Sequence, residues 1–229
     1  MKVEKEKLIL SVETATRDCS LAIFRGIKLC QSWRGDDTFS ASEGLLREIQ
    51  KLLRQAEAKL HEVELLTVTV GPGSFTGLRI GLAIVKGLAA AGQIPVRGIP
   101  TLKAMAFRQS PAGSVCSLIS AGRNEFFAQI FRSGQNNNVE PMNTGTLEQL
   151  LIELKKNNDL TFVAPVETHT SILEFIESEK ITSWIVESPP ENLAICAGKL
   201  GLILFQQNNL ESRSWQIIYG RDAIVINKK

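Results

Sequence analysis

The sequence of 229 residues is poor in tyrosine and histidine, and its positive charge is not concentrated in any segment. Ten Phe, three Trp and a single Tyr offer little of the aromatic surface on which proteins stack single-stranded nucleic acid. The net charge is +2, with 26 basic and 24 acidic residues interspersed, whereas nucleic-acid-binding domains usually carry a concentrated basic face. These scarcities argue against direct, tight RNA binding by this chain alone.

Sequence patterns for export, membrane insertion and paired cysteines are also missing. The four cysteines form no C-x-x-C pair, which predicts reduced thiols in a cytosolic protein. The N-terminus is charged and lacks the apolar core of a secretory signal. The longest apolar segment, residues 77–91, is interrupted by Arg79 and Lys86 and is too short to span a bilayer. We therefore expect a cytoplasmic protein with no membrane partner.

Histidine is too scarce for the common metal motifs. The two histidines, His61 and His169, belong to neither an H-x-x-x-H nor an H-E-x-x-H pair. The G-x-S-x-G motif of hydrolases is also missing. The sequence therefore predicts no catalytic residue and no metal ligand in this chain.

The apolar periodicity predicts alternating strands and helices. Three strands between residues 8 and 33 precede a helix over 42–60, a strand over 65–70, a helix over 75–91 and a strand over 96–99. The second half repeats similar ingredients, which indicates α/β architecture. A shift in composition at residues 109–113 predicts a boundary between a lobe of residues 1–108 and a smaller lobe of residues 109–229.

A glycine-rich run, GPGSFTGLRIG at residues 71–81, joins a predicted strand to a predicted helix. It is not a P-loop, because Leu78 and Arg79 follow its last loop glycine where Lys and Ser/Thr would be needed. It does not match the dinucleotide motif either, because Thr76 replaces the third glycine. Two interpretations remain, an anion site at the helix N-terminus and a turn in which Ser74 or Thr76 caps the helix.

One further pair could extend an anion site. Glu13 and Thr14 end the first strand, where they could place a carboxylate and a hydroxyl beside a phosphate or metal, although a strand-end turn explains them equally well. The candidate phosphate site consists of Glu13, Thr14, Gly71, Gly73 and Ser74.

The predicted helix after the glycine run is apolar almost all round. Such a helix is either buried in its own fold or packed against a partner. Gly77 and Gly81, four residues apart, would let another backbone approach one side closely, which offsets the roughly 1 kcal/mol that each glycine costs in a helix. Periodicity alone favours packing within the fold.

Several motifs resemble those of the bacterial TsaB family, in the family's order and over nearly the whole chain. The glycine run is close to the family signature throughout, and it is shared with the related TsaD proteins. The other matching segments are ILSVETAT (9–16), CSLA (19–22), GIPTL (98–102), RNEFF (123–127) and YGRD (219–222).

The resemblance implies a two-lobe fold of the actin and Hsp70 type (ASKHA), with a ribonuclease-H-like core in each lobe and a C-terminal helical segment near 190–208 joining the first lobe. It also implies a role in making N6-threonylcarbamoyladenosine in tRNAs that read codons starting with A. The family is a noncatalytic partner of the TsaD transferase and works with the TsaE ATPase. ATP, Mg and a TsaD-bound metal serve the complex, tRNA is reached indirectly through it, and TsaB proteins alone form homodimers.

The resemblance further implies a helical contact surface for TsaD or for a second copy. The predicted interface residues are Leu45, Leu46, Ile49, Leu53, Gly77, Ile80, Gly81 and Ile84. The chain departs from the family at Glu13, where Asp is common, at Ala41, where many members have His, and at Ser120, where Asp-Ala is common. These departures weaken any nucleotide or metal site in this chain.

Two rival hypotheses make this chain an enzyme. One is a metal- or ATP-dependent threonylcarbamoyl transferase or glycoprotease-like enzyme, for which Glu13, Thr14 and the 71–77 loop are the only candidate ligands. The other is a sugar-kinase-like phosphotransferase, which fits the fold but lacks a catalytic Asp motif.

Overall fold

The computed structural model describes residues 6–36, 39–107, 113–132, 140–207 and 217–218. In the first lobe an antiparallel meander of three strands is followed by two strands that continue the sheet in parallel. Its elements are β1 (Leu8–Glu13), β2 (Ser20–Arg25), β3 (Lys28–Arg34), α1 (Ala41–Gln55), β4 (Val63–Gly71), α2 (Phe75–Gly92), β5 (Val96–Pro100) and α3 (Thr101–Ala106).

The second lobe repeats this order of strands and helices. Its elements are β6 (Ser114–Gly122), β7 (Glu125–Arg132), β8 (Asn143–Thr146), α4 (Leu147–Leu154), β9 (Leu160–Val163), α5 (His169–Ser178), β10 (Ile185–Glu187) and α6 (Leu193–Gln206).

The two sheets have the same topology. The strand orders are β3-β2-β1-β4-β5 and β8-β7-β6-β9-β10, with a meander followed by two parallel strands in each. Helices α4 and α5 therefore occupy the places in the second lobe that α1 and α2 occupy in the first. The predicted α/β architecture with two related halves is confirmed.

Two helices connect the lobes. Helix α3 contacts β4 and β5 of the first sheet and β6 and β7 of the second, while α6 packs across β1, β2, β4 and β5. Gly198 and Gly201 allow this close packing, because a Cβ on either would lie closer than 3.0 Å to Phe24 or Thr67. The helical segment predicted near 190–208 is thus α6, packed on the first sheet. The predicted lobe boundary lies within residues 108–112, outside the described residues.

Several local predictions were wrong. Helix α1 ends at Gln55, five residues before the predicted end at residue 60. No side chain caps its start, where the hydroxyls of Ser40 and Ser42 lie 3.0 Å apart. Helix α3 and strand β8 were not predicted because each is too short to show a period.

Candidate functional site

Helix α1 uses its apolar stripe to cover the first sheet. Leu45, Ile49 and Leu53 are buried, and they pack into one core cluster with Leu10, Leu21 and other strand residues. The assignment of these three side chains to a partner surface was therefore wrong. Their helical spacing marks the face that the fold itself needs. Leu46 lies beside this stripe and remains 47% exposed.

The glycines at the start of α2 also serve the fold itself. A Cβ on Gly77 would lie closer than 3.0 Å to the carbonyl oxygen of Thr14, and one on Gly81 would meet the Thr14 side chain equally closely. Gly81 is buried and Gly77 half-buried. The end of β1 occupies the space beside both glycines, so the close backbone approach predicted for a partner is made within the fold. The half-buried Gly77 stays a predicted interface residue, whereas Gly81 is buried.

The opposite side of α2 is exposed. Four of its 18 residues are buried, namely Leu78, Gly81, Leu82 and Val85, and they point toward the sheet. The outward stripe recurs every three or four residues and is lined by Thr76, Ile80, Ala83, Gly87 and Ala90, of which only Ile80 is half-buried. Ile84 is half-buried at its border and packs against the core. We call the exposed stripe of α2 together with Leu46 the outer face.

Gly87 distinguishes the outer face from the glycines beneath it. Outside its own stretch of helix, no described heavy atom lies within 4 Å of where a Gly87 Cβ would stand. A glycine inside a helix costs roughly 1 kcal/mol relative to alanine. At Gly77 and Gly81 this cost is offset by close packing against Thr14. At Gly87 no close packing with the described part of the chain offsets it.

Helix α6 is an apolar helix that is buried in the fold, and it serves as a comparison for α2. Eight of its 14 residues are buried, and it lies between the first sheet and α3. Helix α2 is comparably apolar but lies on the outside. By length and composition alone α2 could cross a membrane, a criterion that core helices of other proteins also meet. Its inner side packs on β1 and β4, so it forms one layer of the lobe.

A cleft of about 640 Å³ opens between the two lobes. The first lobe supplies the turn after β1, Arg34 and Ser74, and the second supplies Ser120, Glu167 and the segment 188–191. The cleft lies at the carboxyl end of β1, the end of a parallel sheet at which α/β proteins usually bind ligands. It therefore contains Glu13 and Ser74 of the candidate phosphate site.

Glu13 is completely buried at the base of this cleft. Its carboxylate accepts hydrogen bonds from the Thr16 amide at 2.7 Å, the Thr16 hydroxyl at 2.9 Å and the Ser20 hydroxyl at 3.0 Å. Ser20 in turn accepts from the amide of Ala194, at the start of α6. Burial raises the pKa of Glu13 above its ordinary value, and these hydrogen bonds only partly oppose that rise.

Because the pKa of Glu13 is raised, its contribution to the free energy of unfolding should fall as pH rises. Since Glu13 holds its proton more tightly in the folded than in the unfolded chain, its stabilisation is complete below its ordinary pKa near 4.5 and is lost as pH rises through the folded pKa. Glu13→Gln, which mimics the protonated group, should remove this loss. In urea unfolding between about pH 5 and 8, the free energy of the wild type relative to Glu13→Gln should fall by up to about 1.4 kcal/mol per pH unit. If the free energies of unfolding of the wild type and of Glu13→Gln changed with pH in the same way, the prediction would be contradicted.

Several polar groups of the glycine turn form hydrogen bonds within the fold. The Ser74 amide donates to the Ala15 carbonyl at 2.8 Å, and the Ser74 hydroxyl caps α2 by accepting from the Gly77 amide at 3.2 Å. A Cβ on Gly73 would lie closer than 3.0 Å to the same Ala15 carbonyl. The Ser74 amide and hydroxyl are therefore engaged within the fold, and the Glu13 carboxylate beside the turn would repel phosphate when ionised.

The remaining candidate groups give little support for metal or nucleophile chemistry. Among the described residues, no three His, Cys, Asp or Glu side chains cluster closely enough to hold a metal ion. Burial, with the nearby carboxylates of Glu13 and Asp18, raises the pKa of Cys19 to about 12, so this cleft thiol is protonated at neutral pH. Arg17 and Arg34 are the basic side chains that line the cleft.

Comparison with known proteins places the chain in a family. Residues 40–161, just over half of the chain, match the family model for TsaD, tRNA N6-adenosine threonylcarbamoyltransferase. The tRNA threonylcarbamoyladenosine biosynthesis protein TsaB of Escherichia coli is 31% identical over 137 residues, 56% of each chain. The chain spans about half the length of the curated relatives it matches.

Solved structures extend the likeness to the whole fold. YeaZ from Pseudomonas aeruginosa superposes with a TM-score of 0.71 at 20% identity, covering 93% of this chain and 99% of that one. A ROK hexokinase from Thermus thermophilus superposes with a TM-score of 0.51 at 10% identity, covering 88% and 99%. The predicted actin- and Hsp70-like two-lobe fold is confirmed. Family model and fold together show that the chain belongs to the TsaD family of tRNA N6-adenosine threonylcarbamoyltransferases, within which it is similar to TsaB.

Proposed function

We propose that this chain is a noncatalytic subunit required for N6-threonylcarbamoyladenosine modification of tRNAs that read codons starting with A. It binds a TsaD-like transferase through the outer face of α1 and α2 and acts together with a TsaE-like ATPase in the cytoplasm. The tRNA is reached through the complex, and the complex rather than this chain uses ATP, Mg and a TsaD-bound metal. Without the transferase the chain pairs with a second copy.

The observation that carries the proposal is the exposure of α2. An 18-residue apolar helix with four buried residues leaves a stripe of small and apolar side chains in water. Exposed apolar patches of this kind usually mark interaction sites. Small residues at the contact let a second helix approach to about 8–10 Å, so the stripe suits a helical partner.

Reconstitution of the reaction tests the proposal. We expect the transferase and the ATPase from the same organism to modify tRNA only when this chain is added, at a ratio near one copy per transferase. The chain alone, supplied with threonylcarbamoyl-adenylate and tRNA, should form no product detectable by nucleoside mass spectrometry. Full activity of the other two proteins in its absence would refute the proposal.

The cleft supports one alternative, a metal- or ATP-dependent transferase or glycoprotease-like enzyme. Its volume of about 640 Å³ would admit a nucleotide. Calorimetry with ATP and Mg²⁺ distinguishes the two functions, since tight binding by the chain alone would favour the enzyme. The engaged Ser74 amide and the Glu13 carboxyl support weak or undetectable binding.

A further inference from the structure

After α6 the chain returns to the glycine turn. The Ile218 amide donates to the Val70 carbonyl at 2.7 Å, and the Ile218 carbonyl oxygen lies closer than 3.0 Å to where a Cβ on Gly71 would stand. Ile217 packs against the core cluster of the first lobe. These two residues therefore bring the chain to the end of β4, beside the turn that leads to the cleft.

The cleft begins a few residues from this point. Ser74, three residues after Gly71, lines it, and three residues span at most about 11 Å. Eleven residues of the sequence follow Ile218, and in an extended form they would reach about 36 Å. The segment 219–229 is therefore long enough to enter the cleft and extend along it.

The composition of residues 219–229 suits a buried segment that carries positive charge. Residues 223–226 read Ala-Ile-Val-Ile, a continuous apolar run of the kind found in strands covered on both faces. Three basic residues and one acidic residue lie on either side of this run, which gives the segment a net charge of +2. Such a segment is best accommodated between two walls, with acidic groups near its basic residues.

The cleft offers both features. Its second-lobe lip carries Val166, 65% exposed, together with three prolines. Glu167 and Glu191 on the same lip are exposed, and within the described ranges neither takes part in an ion pair. On the opposite wall Asp18 already pairs with Arg34. The lip therefore presents two carboxylates beside apolar side chains.

We propose that residues 219–229 turn from Ile218 into the cleft and occupy it. The apolar run 223–226 lies between the lobes, and Lys228 and Lys229 lie beside Glu167 and Glu191. The chain itself supplies the occupant of its cleft, so any other ligand enters only by displacing this segment. The inference is independent of the proposed function, which places the transferase on the outer face of the first lobe.

Disulfide trapping in the full chain tests this placement. Asn227→Cys is combined either with Val166→Cys on the cleft lip or with Phe75→Cys, which lies in the first lobe outside the cleft lining; these two side chains are 65% and 52% exposed. Cys19→Ser and Cys30→Ser in every variant remove the cleft cysteine and the half-buried one. An unbound segment would meet both positions at comparable effective concentrations, whereas we expect the bond to position 166 to form on the order of tenfold faster.

Peptide mapping by mass spectrometry shows which positions are joined and whether they belong to one copy. Ala83→Cys on the outer face adds the other exposed apolar surface as a third partner position. Equal rates at positions 166 and 75, or faster trapping at position 83, would overturn the proposal. A bond to position 166 that joins two copies would also overturn it, because a neighbouring chain would then fill the cleft.

Charge reversal tests the acidic lip. Lys228→Glu/Lys229→Glu should slow trapping at position 166 about two- to fivefold at about 0.05 M salt, the range expected for exposed ion pairs. Adding Glu167→Lys/Glu191→Lys should restore the rate, because the opposite charges then face each other in reverse.

The matched control lies on α5. Glu174→Lys/Glu177→Lys changes the net charge equally at exposed positions and should not restore the rate. Restoration by both pairs, or by neither, would show that Glu167 and Glu191 do not hold the lysines.

Discussion

Gly81→Ala should destabilise the protein by about 2 kcal/mol, even though alanine is the better helix former. The new Cβ would lie closer than 3.0 Å to the buried Thr14 side chain, so the start of α2 or the end of β1 must move. Among the described residues the Thr14 hydroxyl has no hydrogen-bond partner, so the expected cost comes from the steric contact and not from a broken hydrogen bond. Gly87→Ala is the matched control and should stabilise by about 0.5–1 kcal/mol.

Double substitution tests the assigned contact. Thr14→Ala removes the atoms that a Cβ at position 81 would meet, so it should relieve much of the cost of Gly81→Ala. It should not relieve the cost of Gly77→Ala. The Cβ at position 77 would meet the backbone carbonyl oxygen of residue 14, which Thr14→Ala does not remove. Urea unfolding followed by circular dichroism measures all six variants, the four single substitutions and the two double ones. Equal effects of alanine at positions 77, 81 and 87 would contradict the packing described for α2.

The strands and helices could largely be predicted because their periods are local. Alternation and helical spacing located β1, β4, α1 and α2 to within a few residues at most ends, and the order of elements indicated two related halves. The elements that escaped prediction, α3 and β8, are too short for a period to show. The YGRD match at residues 219–222 lies outside the described residues.

The orientation of α2 could not be predicted, because a helix that is apolar on every side has no hydrophobic direction. The glycine spacing suggested that Gly77 and Gly81 face outward. The tertiary contact with Thr14, 63 residues or more away along the chain, turns them inward and leaves Ala83 and Gly87 outside. For α1 the amphipathic stripe that contains Leu45 and Ile49 marks the core face, and it was the resemblance to a family that assigned these residues to a partner.

The cleft illustrates a second limit. Glu13 and Ser74 could be proposed from the sequence because each ends a recognisable strand or begins a helix. Their neighbours Arg34, Ser120 and Glu167 come from both lobes, and only the packing of the two sheets brings them together. The internal use of the Ser74 amide is likewise a property of the folded turn.

Leu46→Glu and Ala83→Glu should each abolish measurable binding of the TsaD-like transferase. Either change places a carboxylate on the outer face. Docking would remove this carboxylate from water without giving it a compensating charge or hydrogen bond. Leaving such a charge buried costs about 3 kcal/mol or more, on the order of a hundredfold in affinity. Both residues are exposed in the free chain, so the free energy of unfolding should change little.

The second lobe supplies matched controls. Ile152 on α4 and Leu173 on α5 are 59% and 53% exposed, and their helices are the topological counterparts of α1 and α2. Ile152→Glu and Leu173→Glu introduce the same charge at equivalent architectural places. They should bind the transferase as the unmodified chain does.

Calorimetric titration of the transferase with these four variants tests the central claim, that the exposed side of α1 and α2 is the docking surface. With thermal melts unchanged, we predict that binding is lost for Leu46→Glu and Ala83→Glu and retained for Ile152→Glu and Leu173→Glu. Retained binding by the first pair, or loss confined to the second, would show that the transferase docks elsewhere.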